Sequence, residues 1–203
     1  TSLTEVRLAD KHGRSAGNID IVLVAYDDRG RVIDFGALEV QAVYISGNVR
    51  SPFVYFMENR QVNPEFDWQG HAHYPRPDYL SSSRKRLAPQ LIYKGGILNA
   101  WRKKIAVAVD RHFFASLPSI AEVPFEQADM AWLVYNLDRQ EDRFTLTKDR
   151  FVFTQFASSL ESITTSEAGP VESFLGHLQS LLDEKLDVGY APDAPTLFEN
   201  TED

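Results

Sequence analysis

The chain has 203 residues, of which 43% are hydrophobic, 12% aromatic and 25% charged, with a formal net charge of −8 at pH 7. That size and aromatic content suit a folded domain with a real core rather than a disordered segment. The absence of cysteine excludes a disulfide scaffold, cysteine-bound zinc, iron–sulfur clusters and thiol catalysis.

Taken in chain order, residues 2–10 read as a short helix carrying Leu3, Val6 and Leu8, and residues 12–18 as a loop rich in Gly and Ser. Residues 19–26 are almost continuously apolar and β-branched, as in a central strand covered on both faces. Asp27-Asp28-Arg29-Gly30 reads as a hairpin turn. Residues 31–45 then return as one strand, or as two joined at Gly36. Residues 47–83, with Pro52, Pro64, Pro75 and Pro77, are expected to be long loops. Ser83 is read as the cap of a helix reaching about Trp101, with weak points at Pro89 and Gly95-Gly96. Residues 105–109 suit a buried strand, and residues 130–137 and 144–155 carry further strand patterns. Residues 170–186 fit a helix with Phe174, Leu175, Leu178, Leu181 and Leu182 on one stripe. This order describes an α/β fold with a central mixed sheet flanked by helices. Residues 1–186 are expected to form one domain, and residues 187–203 an acidic, flexible tail.

The charge is unevenly spread. From Tyr79 to Val109 there is no Asp or Glu, while Arg84, Lys85, Arg86, Lys94, Arg102, Lys103 and Lys104 are all basic. Residues 161–203 hold ten acids and one base, whereas residues 1–160 hold 20 bases and 19 acids. The acidity therefore belongs to the C-terminal fifth and does not argue against a polyanionic partner for the body.

Two strands joined by a hairpin each carry side chains that an apolar strand should reject. Asp20 lies in Asn18-Ile19-Asp20-Ile21-Val22, and Glu39 and Gln41 lie in Leu38-Glu39-Val40-Gln41-Ala42. Alternation puts Glu39 and Gln41 on one face, and a bend near Gly36 would bring Asp20 level with Glu39. Burying such carboxylates costs several kcal/mol unless they are paired or bind a cation. Magnesium suits one or two carboxylates completed by water and phosphate oxygens. The alternative is that Glu39 pairs with a basic residue, such as Arg31 or Lys104, across the sheet.

Asp20 followed by Glu39-Val40-Gln41 on a hairpin resembles the PD-(D/E)xK nuclease core. Gly17-Asn18-Ile19-Asp20-Ile21 with Leu38-Glu39-Val40-Gln41, and the later Leu98-Asn99-Ala100-Trp101-Arg102-Lys103-Lys104, resemble NotI-type restriction endonucleases, in which glutamine replaces the usual lysine. The resemblance implies a restriction-endonuclease-like fold and a Mg2+-dependent endonuclease that hydrolyses phosphodiesters of double-stranded DNA. It implies that Asp20 and Glu39 bind the metal, that Gln41 orients water or phosphate, and that Glu5 adds a further acid. It also implies a role in defence and, for a palindromic target, a homodimer. The chain departs from that group's founding member, which carries an N-terminal cysteine-ligated iron domain, in having no cysteine. A non-catalytic DNA-binding domain of the same fold and a structure-specific repair or recombination nuclease are the alternatives.

For DNA contacts, Ser81, Ser82, Ser83, Arg84, Lys85 and Arg86 at a helix start offer hydroxyls and guanidinium forks, with Lys94 further along. Gly13-Arg14-Ser15-Ala16-Gly17 matches the hydrolase nucleophile pattern but lacks the strand before and helix after that it requires. His71 and His73 lack zinc-type helical spacing. No run approaches about 18 apolar residues, and no charged-then-apolar leader opens the chain, so a cytoplasmic protein without a membrane span is expected. The start at Thr1 fits either methionine removal or a piece of a longer protein.

Overall fold

In the computed structural model, residues 1–187 are described apart from residues 49, 59, 63, 64, 66, 68, 69, 71–73 and 142. The chain divides into two units, Thr1–Thr165 and Ser166–Asp203. The first is built on six strands, β1 (Ser2–Ala9), β2 (Ser15–Tyr26), β3 (Val32–Val40), β6 (Ile105–Asp110), β7 (Met130–Gln140) and β8 (Arg143–Thr154), hydrogen-bonded in that order. The first three form an antiparallel meander, β3, β6 and β7 run parallel, and β8 returns antiparallel. This is the mixed sheet flanked by helices that the sequence leads one to expect.

Residues Ser2–Ala9 form a strand rather than a helix. So short a segment holds a helix poorly without tertiary support, whereas pairing along β2 satisfies its backbone groups. Only Leu8 is buried and Val6 half-buried, a period of two. Leu3, which suggested helical spacing, is exposed on the far side of Glu5, whose φ of 53° interrupts the alternation. Strand β2 lies between β1 and β3 but is not covered on both faces: Ile19 and Val22 are buried, whereas Leu23 and Tyr26 are largely exposed.

The hairpin turn forms where expected. Asp27 Oδ1 accepts from the backbone N–H groups of Arg29 and Arg31 at 3.0 and 2.9 Å, and Gly30 takes φ 75°. The register shift, however, lies beside the turn and not at Gly36. Ala25 pairs with Asp34 and Tyr26 with Val32, so Ile33 is the bulged residue, while Gly36 pairs regularly with Leu23. Strand β3 runs straight through Gly36 and ends at Val40, and the expected second strand is the separate β4 (Tyr44–Ser46).

The connection from β3 to β6 is more ordered than its prolines suggest. Helix α1 (Arg50–Glu58) starts where Asn48 Oδ1 accepts from the N–H groups of Arg50 and Ser51, both at 3.1 Å. Strand β4 pairs with β5 (Arg76–Asp78). A helical run, α2, then extends from Tyr79 to Ala100. Asp78 rather than Ser83 caps it, accepting from Ser81 N–H at 2.9 Å. The run continues through Pro89 and Gly95-Gly96 because Ser83–Leu87 and Leu91–Gly95 are wound as wider π turns. Leu87, Leu91 and Leu98 of α2 are 1% exposed or less and pack with Val107, Trp132 and Val134 of the sheet and Phe113 of α3 (Arg111–Ala115). Helix α4 (Phe156–Thr164) adds Phe156 and Ile163 to that core.

The second unit contains helix α5 (Val171–Asp187), which carries the expected stripe of Phe174, Leu175, Leu178, Leu181 and Leu182, all exposed. Residues 188–203 and the His71/His73 pair lie outside the described residues. Among the described residues no helix is long and apolar enough to cross a membrane.

Candidate active site

The register of the two hairpins brings the acids together. Pairing of Ile21 with Leu38 places Asp20 opposite Glu39. Pairing of Thr4 with Ile21 and of Val6 with Ile19 places Glu5 opposite Asp20. Asp20 is half-buried, and its Oδ2 accepts from the Val40 N–H at 2.7 Å. Glu5 is exposed, with Oε2 accepting from Asn18 Nδ2 at 3.2 Å.

Glu39 is 1% exposed and Gln41 is 5% exposed, with exposed Val40 between them. Both are fixed by the backbone of β3 and its extension: the Gln41 N–H donates to the Ala108 carbonyl at 2.9 Å. Gln41 Nε2 donates to the Ala42 carbonyl at 2.6 Å, and its Oε1 is buried without a partner. Glu39 Oε2 accepts from Lys94 Nζ at 2.6 Å, whereas Glu39 Oε1 is buried without a partner. Burial pushes the Glu39 carboxyl above its ordinary range; the Lys94 ammonium opposes this, and the charges of Asp20 and Glu5 reinforce it.

The ion pair considered for Glu39 does form, and its basic partner is Lys94 rather than Arg31 or Lys104. Arg31 bridges Asp27 at 2.8 Å, and Lys104 lies over the Phe125 ring at 4.7 Å. Lys94 is 6% exposed and donates also to the Asn18 carbonyl at 2.6 Å. Its place in the acidic site was not read from the sequence, although a signal exists. Leu87, Leu91, Lys94 and Leu98 fall at helical spacings on one face, so a lysine stands within an apolar stripe.

The structure gathers Glu5, Asp20, Glu39 and Gln41 on neighbouring strands and adds Lys94 from α2. It sets the other serine and basic positions apart. Ser82 is fully buried, donating to the Asp78 carbonyl at 2.6 Å and accepting from the Tyr44 N–H at 2.7 Å. Ser83 is buried and Ser81 half-buried, while Arg84, Lys85 and Arg86 are exposed. The Arg86 guanidinium lies 4.2 Å from the Tyr44 ring centroid. Ser15 opens a strand and accepts from Gly17 N–H at 3.2 Å, with no helix following.

Among the described residues no three His, Asp or Glu side chains stand as a ready-made metal cluster. What the site offers is two carboxylates and an amide, each with a free oxygen or an orphaned buried one. This donor set fits a hard cation that keeps much of its water.

A mixed sheet whose hairpin strands carry a buried Glu39 and a half-buried Asp20 beneath a long helix defines an α/β domain of the restriction-endonuclease-like kind. The family model described as Restriction endonuclease NotI matches residues 1–149, and the chain belongs to that family. It is a family of restriction endonucleases, which act on DNA. A search of curated proteins found no match.

Proposed function

We propose that the protein is a magnesium-dependent endonuclease of the PD-(D/E)xK type that hydrolyses phosphodiester bonds of double-stranded DNA in defence against foreign DNA. The carrying observation is the pair of orphaned buried acceptors, Glu39 Oε1 and Gln41 Oε1, with Asp20 opposite Glu39 on the neighbouring strand. An unpaired buried oxygen costs about 1–3 kcal/mol, and a bound cation with its waters removes that cost.

Asp20 and Glu39 would hold the ion, with Glu5 at its solvent side. Bound there, Mg2+ would acidify a water and neutralise charge on the phosphate. The residues themselves do the positioning. The Val40 N–H fixes Asp20, Lys94 fixes Glu39, and the Ala42 carbonyl holds the Gln41 amide so that its oxygen faces away from that bond. Gln41 is neutral, so it orients a water or a phosphate and removes no proton. Exposed Arg84, Lys85 and Arg86 supply cations for phosphate contacts. A homodimer would match a palindromic site, and a cytoplasmic setting fits a nuclease that meets incoming DNA.

Digestion of mixed plasmid and phage DNA with Mg2+ tests this reading. Discrete fragments, abolished by chelation and by Asp20→Asn, are expected. Intact DNA that the protein nevertheless binds would make it a non-catalytic DNA-binding domain, and cleavage of branched substrates alone would make it a structure-specific nuclease.

A further inference from the structure

Lys94 reaches the acidic site from the helix and not from the strands. It sits in the π turn Leu91–Gly95, a winding that displaces side chains from their regular positions and recurs at functional sites. Its stem lies along β2, where a Cβ added at Gly17 would meet Lys94 Cε at 3.5 Å. Two anchors, the Asn18 carbonyl and Glu39 Oε2, each at 2.6 Å, fix the nitrogen.

The consequence lies in which oxygens remain. Lys94 occupies Glu39 Oε2, leaving Oε1. The Val40 N–H occupies Asp20 Oδ2, leaving Oδ1. Each carboxylate therefore keeps, among the described residues, a single oxygen free of hydrogen bonds for an incoming cation, the other being engaged by a donor that a second ligand bond would have to share. Magnesium demands a tight octahedron and accepts single carboxylate oxygens alongside water, whereas calcium takes about 6–8 oxygens and readily uses both oxygens of a carboxylate.

We propose that Lys94 is a cation-selecting residue, which by holding Glu39 Oε2 restricts that carboxylate to one-oxygen ligation and favours Mg2+ or Mn2+ over Ca2+. The inference rests on the reading of the acids as a metal site. Lys94 is a positioning residue: it acts through Glu39. A mere counter-ion would weaken all divalent cations alike, but a clamp changes their ratio.

Calorimetric titration of the DNA-free protein with MgCl2, MnCl2 and CaCl2 separates these cases. Lys94→Met should raise the affinity for Ca2+ relative to Mg2+ by about tenfold, the scale on which residues supporting a metal ligand act. Lys94→Arg, which keeps a charged donor, should restore the ratio of the unaltered protein. An unchanged ratio in Lys94→Met overturns the proposal. Asp20→Asn keeps an acceptor for Val40 and should lose binding of all three cations. Retained binding in that variant overturns the metal-site reading as well. Should Lys94→Met not fold, a manganese-bound structure of the unaltered protein decides. Glu39 ligating through Oε1 alone, with Lys94 still on Oε2, supports the proposal, and a bidentate Glu39 or a displaced Lys94 overturns it.

Discussion

Glu39 and Lys94 form a pair in which neither charge has an escape to water, with side chains 2% and 8% exposed. Removing one partner of such a pair strands the other and typically costs about 3–5 kcal/mol, whereas replacing both by apolar groups is often neutral. Denaturant unfolding should therefore show Lys94→Met destabilised on that scale and Lys94→Met/Glu39→Met close to the unaltered protein. A double variant no more stable than the single one would show that the pair does not act as a unit. The raised Glu39 pKa gives a second expectation. A proton and a divalent cation compete for the ionised carboxylate, so Mg2+ binding should fail as pH drops through the raised value, above the ordinary glutamate range. Calorimetry across pH 4–8 checks it, and binding retained down to the ordinary glutamate range, about 4.3, would count against it. Asp20, Glu39 and Gln41 were legible in the sequence because each breaks an apolar strand pattern. Lys94 was not, because pairing it with Glu39 needs the packing of a helix on a sheet 55 residues away in sequence.

The two glycines of α2 should respond in opposite directions to the same change. At Gly95 an added Cβ would stand 2.4 Å from Phe156 Cε2, an aromatic carbon held in the core. At Gly96 nothing lies within 4 Å. Gly95→Ala should therefore destabilise by about 1–3 kcal/mol through overpacking. Gly96→Ala, in helical conformation, should stabilise by about 0.5–1 kcal/mol through the unfolded chain. Thermal or urea unfolding of both variants settles the signs, and two changes of the same sign would contradict the packing. At this scale the sequence was read well where a long alternating or apolar run met its own turn, as in the β2–β3 hairpin, β6 and the β7–β8 pair. It was misread where a partner elsewhere decides. Ser2–Ala9 becomes a strand because β2 offers an edge, and α1 forms among prolines because Asn48 caps it and Pro52 is buried.

At the scale of the molecule, the net charge of −8 is the sum of a nearly neutral body and an acidic C-terminal fifth. Deleting residues 187–203 removes five acids and no base, taking the net charge from −8 to −3. If those acids compete with phosphates for the basic segment, non-specific DNA binding should tighten at low salt, and the gain should shrink at high salt as screening takes over. Fluorescence anisotropy at two ionic strengths reads this directly, and equal affinities at low salt would reject the competition.

On the proposed function, Asp20 and Glu39 would hold a divalent cation that supports phosphodiester hydrolysis. The most direct measurement is the magnesium-dependent cleavage rate of one defined DNA fragment by the unaltered protein, Asp20→Asn and Arg86→Ala. Asp20→Asn should lose about a thousandfold in the rate with DNA saturating. Arg86→Ala should keep that rate and need more DNA or less salt to reach it. Cleavage by Asp20→Asn at the unaltered rate would contradict the account.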